Sequence, residues 1–201
     1  MLDLFAWGTP NGKKIPIFLE EAGLTYTLHK IDLGKGEQKT PEYLAKNPNG
    51  KIPALVDSDG PGEPVTIFES GAILIYLAEK CGQFLSKEPH VRAQTLSWLM
   101  FQMSAVGPMM GQYNVFKRAN NAEGIARFNG EVRRIFGVLE AQLGRHEYLA
   151  GEYSIADMAT FPWVSGYAYA DLNVPKDYPH VKAWIDRVTA RPGVQKALAV
   201  L

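Results

Sequence analysis

Three short stretches of this sequence carry residue types that can do chemistry together. Glu69-Ser70 stands directly before an apolar-periodic segment that runs to Lys80. Serine is a preferred helix N-cap, and the free N–H groups behind such a cap favour a carboxylate. Glu69 has the opposite preference and favours an ammonium. The pair therefore suits the zwitterionic end of an amino acid or peptide, with a plain N-cap beside a solvated glutamate as the alternative. Thr9-Pro10-Asn11-Gly12 joins an apolar strand to an apolar-periodic segment. A hydroxyl, an amide and the positive end of a helix dipole at that junction can stabilise a thiolate, although the same four residues also make an ordinary turn with an Asn cap. Ile52-Pro53 opens a third stretch, at the start of a strand. Proline removes a ladder donor there and suggests a special turn. A cis bond is one way to make it, and would turn the Ile52 N–H and C=O outward to pair with an extended ligand.

The elements that must position these residues can be read from periodicity. Ala54-Leu55-Val56-Asp57 and Val65-Thr66-Ile67-Phe68, with Ser58-Asp59-Gly60-Pro61-Gly62 between them, make a hairpin. Ile73, Leu74, Leu77, Ala78 and Cys81 then share one helix face, which predicts a helix N-capped by Ser70. Upstream, Leu2 to Phe5 reads as a strand, and Ile15, Phe18, Leu19 and Ala22 as a helix face stopped by Gly23. Tyr26 to Ile31 is a second strand. The loop from Asp32 to Gln38 carries two glycines but lacks the context of a phosphate-binding loop. Thr40-Pro41 starts a short helix that Pro48 ends. Residues 1–81 thus form an α/β domain, 82–88 a linker, and 89–201 an all-helical domain.

In the second domain one helical pattern runs from Val91 to Met110, and another through Phe128, Val132, Ile135, Phe136, Leu139 and Leu143. Residues 118–124 between them read as a loop. Ser154-Ile155-Ala156-Asp157 is a capping-box-like start with Asp at its fourth position. A last helix is expected from about Pro179 to Thr189, with Arg191-Pro192-Gly193 breaking the chain before a short tail.

Bulk properties narrow the function classes. The 201 residues are 46% apolar, enough for one sizeable core or two small ones, and the net charge of zero gives no electrostatic footprint for nucleic acid or an anionic membrane. The opening Met1-Leu2-Asp3-Leu4-Phe5 lacks a basic, then apolar, export signal, and no apolar run is long enough to span a bilayer, so a cytoplasmic location is expected. One cysteine, Cys81, permits no internal disulfide, and four dispersed histidines make no metal site. Cys81 is expected to be a buried core residue.

Strand, helix, strand, helix, Ile-Pro turn, hairpin and Glu-Ser before a helix together resemble the thioredoxin-like N-terminal domain of the glutathione transferase superfamily. Ser154-Ile155-Ala156-Asp157 is similar to the helix-start motif of its all-helical domain. The resemblance covers essentially the whole chain and implies an α/β thioredoxin-like domain followed by an all-α domain. Thr9-Pro10-Asn11-Gly12-Lys13-Lys14, Phe18-Leu19-Glu20-Glu21, Asp32-Leu33-Gly34-Lys35-Gly36, Phe68-Glu69-Ser70-Gly71-Ala72-Ile73-Leu74 and Gly107-Pro108-Met109-Met110-Gly111-Gln112 look like the bacterial nu class, which includes glutathione-dependent disulfide-bond reductases. Phe5 to Asn11, where relatives place an activating Tyr, Ser or Cys, contains no Tyr and no Cys.

The resemblance further implies that the bond before Pro53 is cis and that Thr9 and Asn11 contact the glutathione sulfur. It assigns Gln38 and Lys51 to the glycyl end, the Ile52 backbone to pairing, and Glu69 with Ser70 to the γ-glutamyl group. It also implies a homodimer in which an arginine crosses the interface, with Arg127 as the candidate. The activity implied is thiol–disulfide exchange carried by glutathione itself. Conjugation of electrophiles in a pocket lined by Met103, Met110 and Trp163 is an alternative, and so is a non-catalytic glutathione-binding regulator.

Overall fold

Strand β1 (Leu2–Ala6) alternates strictly, burying Leu2, Leu4 and Ala6 on one face and leaving Phe5 half-buried on the other. Helix α1 (Pro10–Ala22) carries the chain to β2 (Tyr26–Lys30), which pairs parallel to β1; a parallel pair needs such a crossover. A 3-10 turn at Glu37–Lys39 and the short helix α2 (Pro41–Leu44) lead to the antiparallel hairpin of β3 (Ala54–Asp57) and β4 (Val65–Phe68). Helix α3 (Ser70–Cys81) follows. The sheet order is β2-β1-β3-β4, so β3 is a central strand, as its apolar run predicts. Buried Asp57, at the end of β3, ties down α3: it accepts from Tyr76 Oη at 2.7 Å and pairs with Lys80 Nζ at 2.8 Å.

The register places three chain segments together. Phe5 faces Ala54 across β1 and β3, and Ala54 faces Phe68 across β3 and β4. The end of β1, the start of β3 and the end of β4 therefore lie at one end of the sheet, the edge made by the strand termini, and residues 7–9, 52–53 and 69–70 continue from it.

The computed structural model describes residues 1–201, in two compact units: Met1–Gln83 with Arg191–Leu201, and Phe84–Ala190. The expected domain division differs from this at the C-terminus. The tail is no break but helix α10 (Pro192–Val200), packed on α1 with Val194 and Ala197 buried. Pro192 occupies the first helical position, where its missing N–H costs nothing.

The second unit holds α4 (Pro89–Phe101), a π-helical turn (Gln102–Val106), α5 (Gly107–Arg118), α6 (Ala122–Leu143), α7 (Ile155–Val164), α8 (Val174–Asp177) and α9 (Pro179–Thr189). Alpha-helix α6 starts earlier than the sequence suggests, so the loop expected at 118–124 shrinks to three residues. Asn121 caps it, accepting from Gly124 N at 2.8 Å. Gly124, a poor helix former, sits within the helix because a Cβ there would meet the Phe116 ring at 2.3 Å. The Ser154–Asp157 capping box is present in full, and Asp157 also accepts from Leu149 N at 3.1 Å and Trp184 Nε1 at 2.9 Å. Complete burial still pushes the Asp157 carboxyl up to about 6. No helix of the chain is long and apolar enough to cross a membrane.

Candidate functional site

The turn from β1 into α1 is tight. Thr9 N–H donates to Trp7 O at 2.6 Å, and a Cβ on Gly12 would lie 1.9 Å from the same carbonyl. Thr9 has extended backbone (φ −105, ψ 164) and is the N-cap of α1, its Oγ1 accepting from Gly12 N at 3.2 Å. Capping therefore falls to Thr9 and not to Asn11, which lies half-buried within the first turn. The Thr9 hydroxyl uses a lone pair for the cap and retains its hydrogen for another acceptor. Both side chains stand at the positive end of a helix of thirteen residues.

At the other side of the same sheet edge the expectation for Ser70 needs correction. Glu69 occupies the N-cap position of α3, without a side-chain cap bond, and Ser70 is the first helical residue. Ser70 is buried, and its Oγ accepts from Lys14 Nζ at 3.1 Å. Glu69 is exposed and holds φ 69, ψ 116, a conformation unusual for a residue with a Cβ and of the kind that clusters at ligand clamps. The Glu69 carboxylate and the start of α3 are thus adjacent and of opposite preference, as the zwitterion reading requires.

Lys14 is the residue the sequence reading missed. It is fully buried on α1, and burial pushes its ammonium down to about 7, with the Glu69 charge opposing that shift. One signal was available: Lys14 stands four residues before Phe18 and next to Ile15, so it falls on the apolar face of α1.

The Ile52–Pro53 bond is cis. The turn before it is pinned by Tyr43 Oη and Asn47 Nδ2, which donate to Lys51 O at 2.7 and 2.6 Å. No backbone group of the chain bonds to Ile52 N–H or C=O, so both remain available at the sheet edge. Gly50, at φ +60, packs closely on the 3-10 turn: a Cβ there would lie 3.1 Å from Gln38 O and 2.8 Å from Lys39 Nζ. Gln38 and Lys51 are thereby brought to neighbouring backbone. Gln38 Oε1 is buried without a hydrogen-bond partner, and Lys51 is exposed.

Other named residues lie elsewhere. Cys81 is half-buried rather than in the core, at the last position of α3. At 1.5 Å per residue that is about 16 Å along the helix from Ser70. Arg127 belongs to the second unit, exposed on α6 with its guanidinium 6.0 Å from the Phe128 ring centroid. In that unit Met110 is buried, and the Trp163 ring lies against Gly107 and Gly111, which accounts for both as helical packing.

The first unit thus assembles Thr9, Asn11, Ile52, Pro53, Glu69, Ser70 and Lys14 around one sheet edge. Such an edge can pair with an extended peptide backbone, hold its carboxylate and ammonium, and offer donors to a thiolate. Comparison with known proteins gives a consistent result. Residues 1–79 match the family described as glutathione S-transferase, N-terminal domain, and residues 98–192 the corresponding C-terminal domain. The chain is 49% identical to the disulfide-bond oxidoreductase YfcG of Escherichia coli, over 98% of this chain and 94% of that protein. Among solved structures, a glutathione transferase family member from Pseudomonas fluorescens, with two glutathione bound, superposes with a TM-score of 0.93 at 43% identity, covering 98% of this chain and 92% of the other. A glutathione transferase from Pseudomonas putida, with one glutathione disulfide bound per subunit, gives 0.94 at 44% identity, covering 99% and 91%.

Proposed function

The chain belongs to the glutathione S-transferase family, and from that premise we propose that it is a glutathione-dependent disulfide-bond reductase of the nu-class type. The observation that supports this reading is that the start of α1, the cis Ile52–Pro53 turn and the Glu69-Ser70 start of α3 meet at one end of the sheet, while the only cysteine of the chain lies at the far end of α3. The chemistry is then done by the bound thiol. Support for disulfides as substrates comes from the relative named a disulfide-bond oxidoreductase and from the neighbour that holds glutathione disulfide.

In this reading Glu69 takes the γ-glutamyl ammonium and Ser70 its carboxylate, Ile52 pairs with the peptide backbone beside Pro53, and Gln38 and Lys51 reach the glycyl end. Thr9 and Asn11 donate to the sulfur and lower its pKa, which raises the thiolate fraction that sets the exchange rate. The thiolate attacks one sulfur of a substrate disulfide, forming a mixed disulfide and expelling the other sulfur as a thiolate. A second glutathione thiolate attacks the glutathione sulfur of that intermediate, releasing glutathione disulfide and a second substrate thiolate. Two glutathione molecules are oxidised, one disulfide is reduced to two thiols, and the expelled thiolates take up the protons the two glutathiones gave. The protein acts in the cytoplasm as a homodimer, with Arg127, exposed and bound to no carboxylate, reaching the glutathione of the partner subunit.

Steady-state assay with glutathione against a model disulfide and a model aryl halide tests the reading. Turnover of the disulfide with little conjugation is expected. Rapid conjugation without disulfide reduction would assign the site to a transferase, and silence in both assays with tight glutathione binding would assign it to a regulator.

A further inference from the structure

Tyr43 and Asn47 are buried polar side chains beside this site that the chemistry above leaves without a task. Tyr43 Oη and Asn47 Nδ2 both donate to Lys51 O, at 2.7 and 2.6 Å, and so fill both lone pairs of one carbonyl. Asn47 Oδ1 accepts from Asn49 N at 3.0 Å, which fixes the amide with its nitrogen toward Lys51 O. The Tyr43 ring meets the Phe5 ring edge-on, with centroids 6.5 Å apart, and is thereby seated on β1. Lys51 C=O and Ile52 N–H belong to one peptide plane, and the only cis bond of the chain is the next one, Ile52–Pro53. In a trans plane the two groups point in opposite directions. Two donors that hold the carbonyl therefore aim the N–H away from α2, and polarise it as a donor. We propose that Tyr43 and Asn47 are positioning residues for bound glutathione, orienting the Ile52 N–H as the donor to the cysteinyl carbonyl of the tripeptide. The proposal rests on the glutathione reading above.

Pairing geometry supports this assignment. A residue that pairs with an extended ligand as an antiparallel neighbour exchanges two hydrogen bonds with it, one through N–H and one through C=O. Neither group of Ile52 is bonded to the backbone of the chain. The two are held differently: the C=O lies in the cis Ile52–Pro53 plane, the N–H in the plane that Tyr43 and Asn47 hold. Losing those donors should therefore loosen only the N–H half of the pairing. Tyr43 is 3% exposed, and burial pushes its hydroxyl up to about 12, so it stays a donor across the neutral range.

Calorimetry with two ligands separates this role from a merely structural one. Glutathione offers the cysteinyl carbonyl, whereas γ-glutamylcysteamine keeps the γ-glutamyl group, the amide N–H and the thiol but has no carbonyl at that position. Tyr43→Phe keeps the ring and removes one donor. Asn47→Asp, at pH 8 with its carboxyl ionised, keeps the acceptor for Asn49 N–H and removes the other. The double variant should bind glutathione about tenfold more weakly, the loss of one hydrogen bond, and bind γ-glutamylcysteamine as the wild type does. Unchanged glutathione affinity overturns the proposal, and so does equal weakening for both ligands, which would make the two residues structural ties. Should the double variant fail to fold, Tyr43→Phe alone must show the same selective loss, by about threefold. Where the wild type holds γ-glutamylcysteamine too weakly to compare, the Ile52 amide of the glutathione complex must exchange faster with solvent deuterium in Tyr43→Phe than in the wild type, and an unchanged rate overturns the proposal. Absence of any glutathione binding by the wild type would instead sink the glutathione reading itself.

Discussion

Glu69 combines an exposed carboxylate with a backbone that residues bearing a Cβ avoid. Such a conformation costs about 1–3 kcal/mol and persists where the surroundings impose it. The account makes it the ammonium half of a clamp, so stability and binding should respond in opposite directions. Glu69→Gly should raise the urea midpoint, by roughly 1 kcal/mol of stability, while weakening glutathione binding about tenfold. A variant that is less stable, or that binds normally, would contradict this. Much of the residue-level pattern was legible because Thr9, Ile52-Pro53 and Glu69-Ser70 stand at element boundaries, where residue type has local meaning. The Ser70 assignment slipped by one position for the same reason. Serine is the better cap by type, and no sequence signal marks a glutamate at positive φ. Lys14 was missed although it falls on the apolar face of α1, because the residue it bonds, Ser70 of α3, is distant in sequence.

Among the elements, α1 is the one whose start must be placed most closely, since Thr9 and Asn11 both ride on it. Its position depends on Gly12, where a side chain would enter the space of the Trp7 carbonyl. Gly12→Ala should therefore cost about 2–3 kcal/mol, within the range of overpacking, and lower glutathione affinity by displacing the first turn. An unchanged denaturation midpoint would show that the turn is not constrained as described. Every element of the first 81 residues that carries a site residue was expected from period and punctuation, apart from the 3-10 turn at Glu37–Lys39. Helix α10 was not, because Arg191-Pro192-Gly193 reads as a stop. Proline serves equally at a first helical position, and nine residues are too few for a clear period. The early start of α6 was hidden by Gly124, whose presence answers to Phe116 rather than to helix propensity.

On the scale of the molecule, the two ends of the chain meet in one unit. Arg191 donates through Nε and Nη2 to Glu21 Oε2 at 2.8 and 2.6 Å, and Val194 N–H donates to Oε1 at 3.2 Å, so the start of α10 is fastened to the end of α1. The Glu21 side chain is only 5% exposed. Arg191→Ala would leave a buried carboxylate with one donor, and thermal unfolding should report a loss of about 1.5–3 kcal/mol. No loss would mean that α10 adds little to the unit that holds the site. The central claim is that this unit activates the thiol of glutathione and contributes no thiol of its own. Its most direct test is the pH profile of glutathione-dependent disulfide reduction in the wild type, Cys81→Ser and Thr9→Ala. The account predicts that Cys81→Ser keeps the wild-type rate and profile. It predicts that Thr9→Ala is slower, with its thiolate-dependent limb moved to higher pH because a donor to the sulfur is gone. Loss of turnover in folded Cys81→Ser, or an unmoved limb in Thr9→Ala, would contradict it.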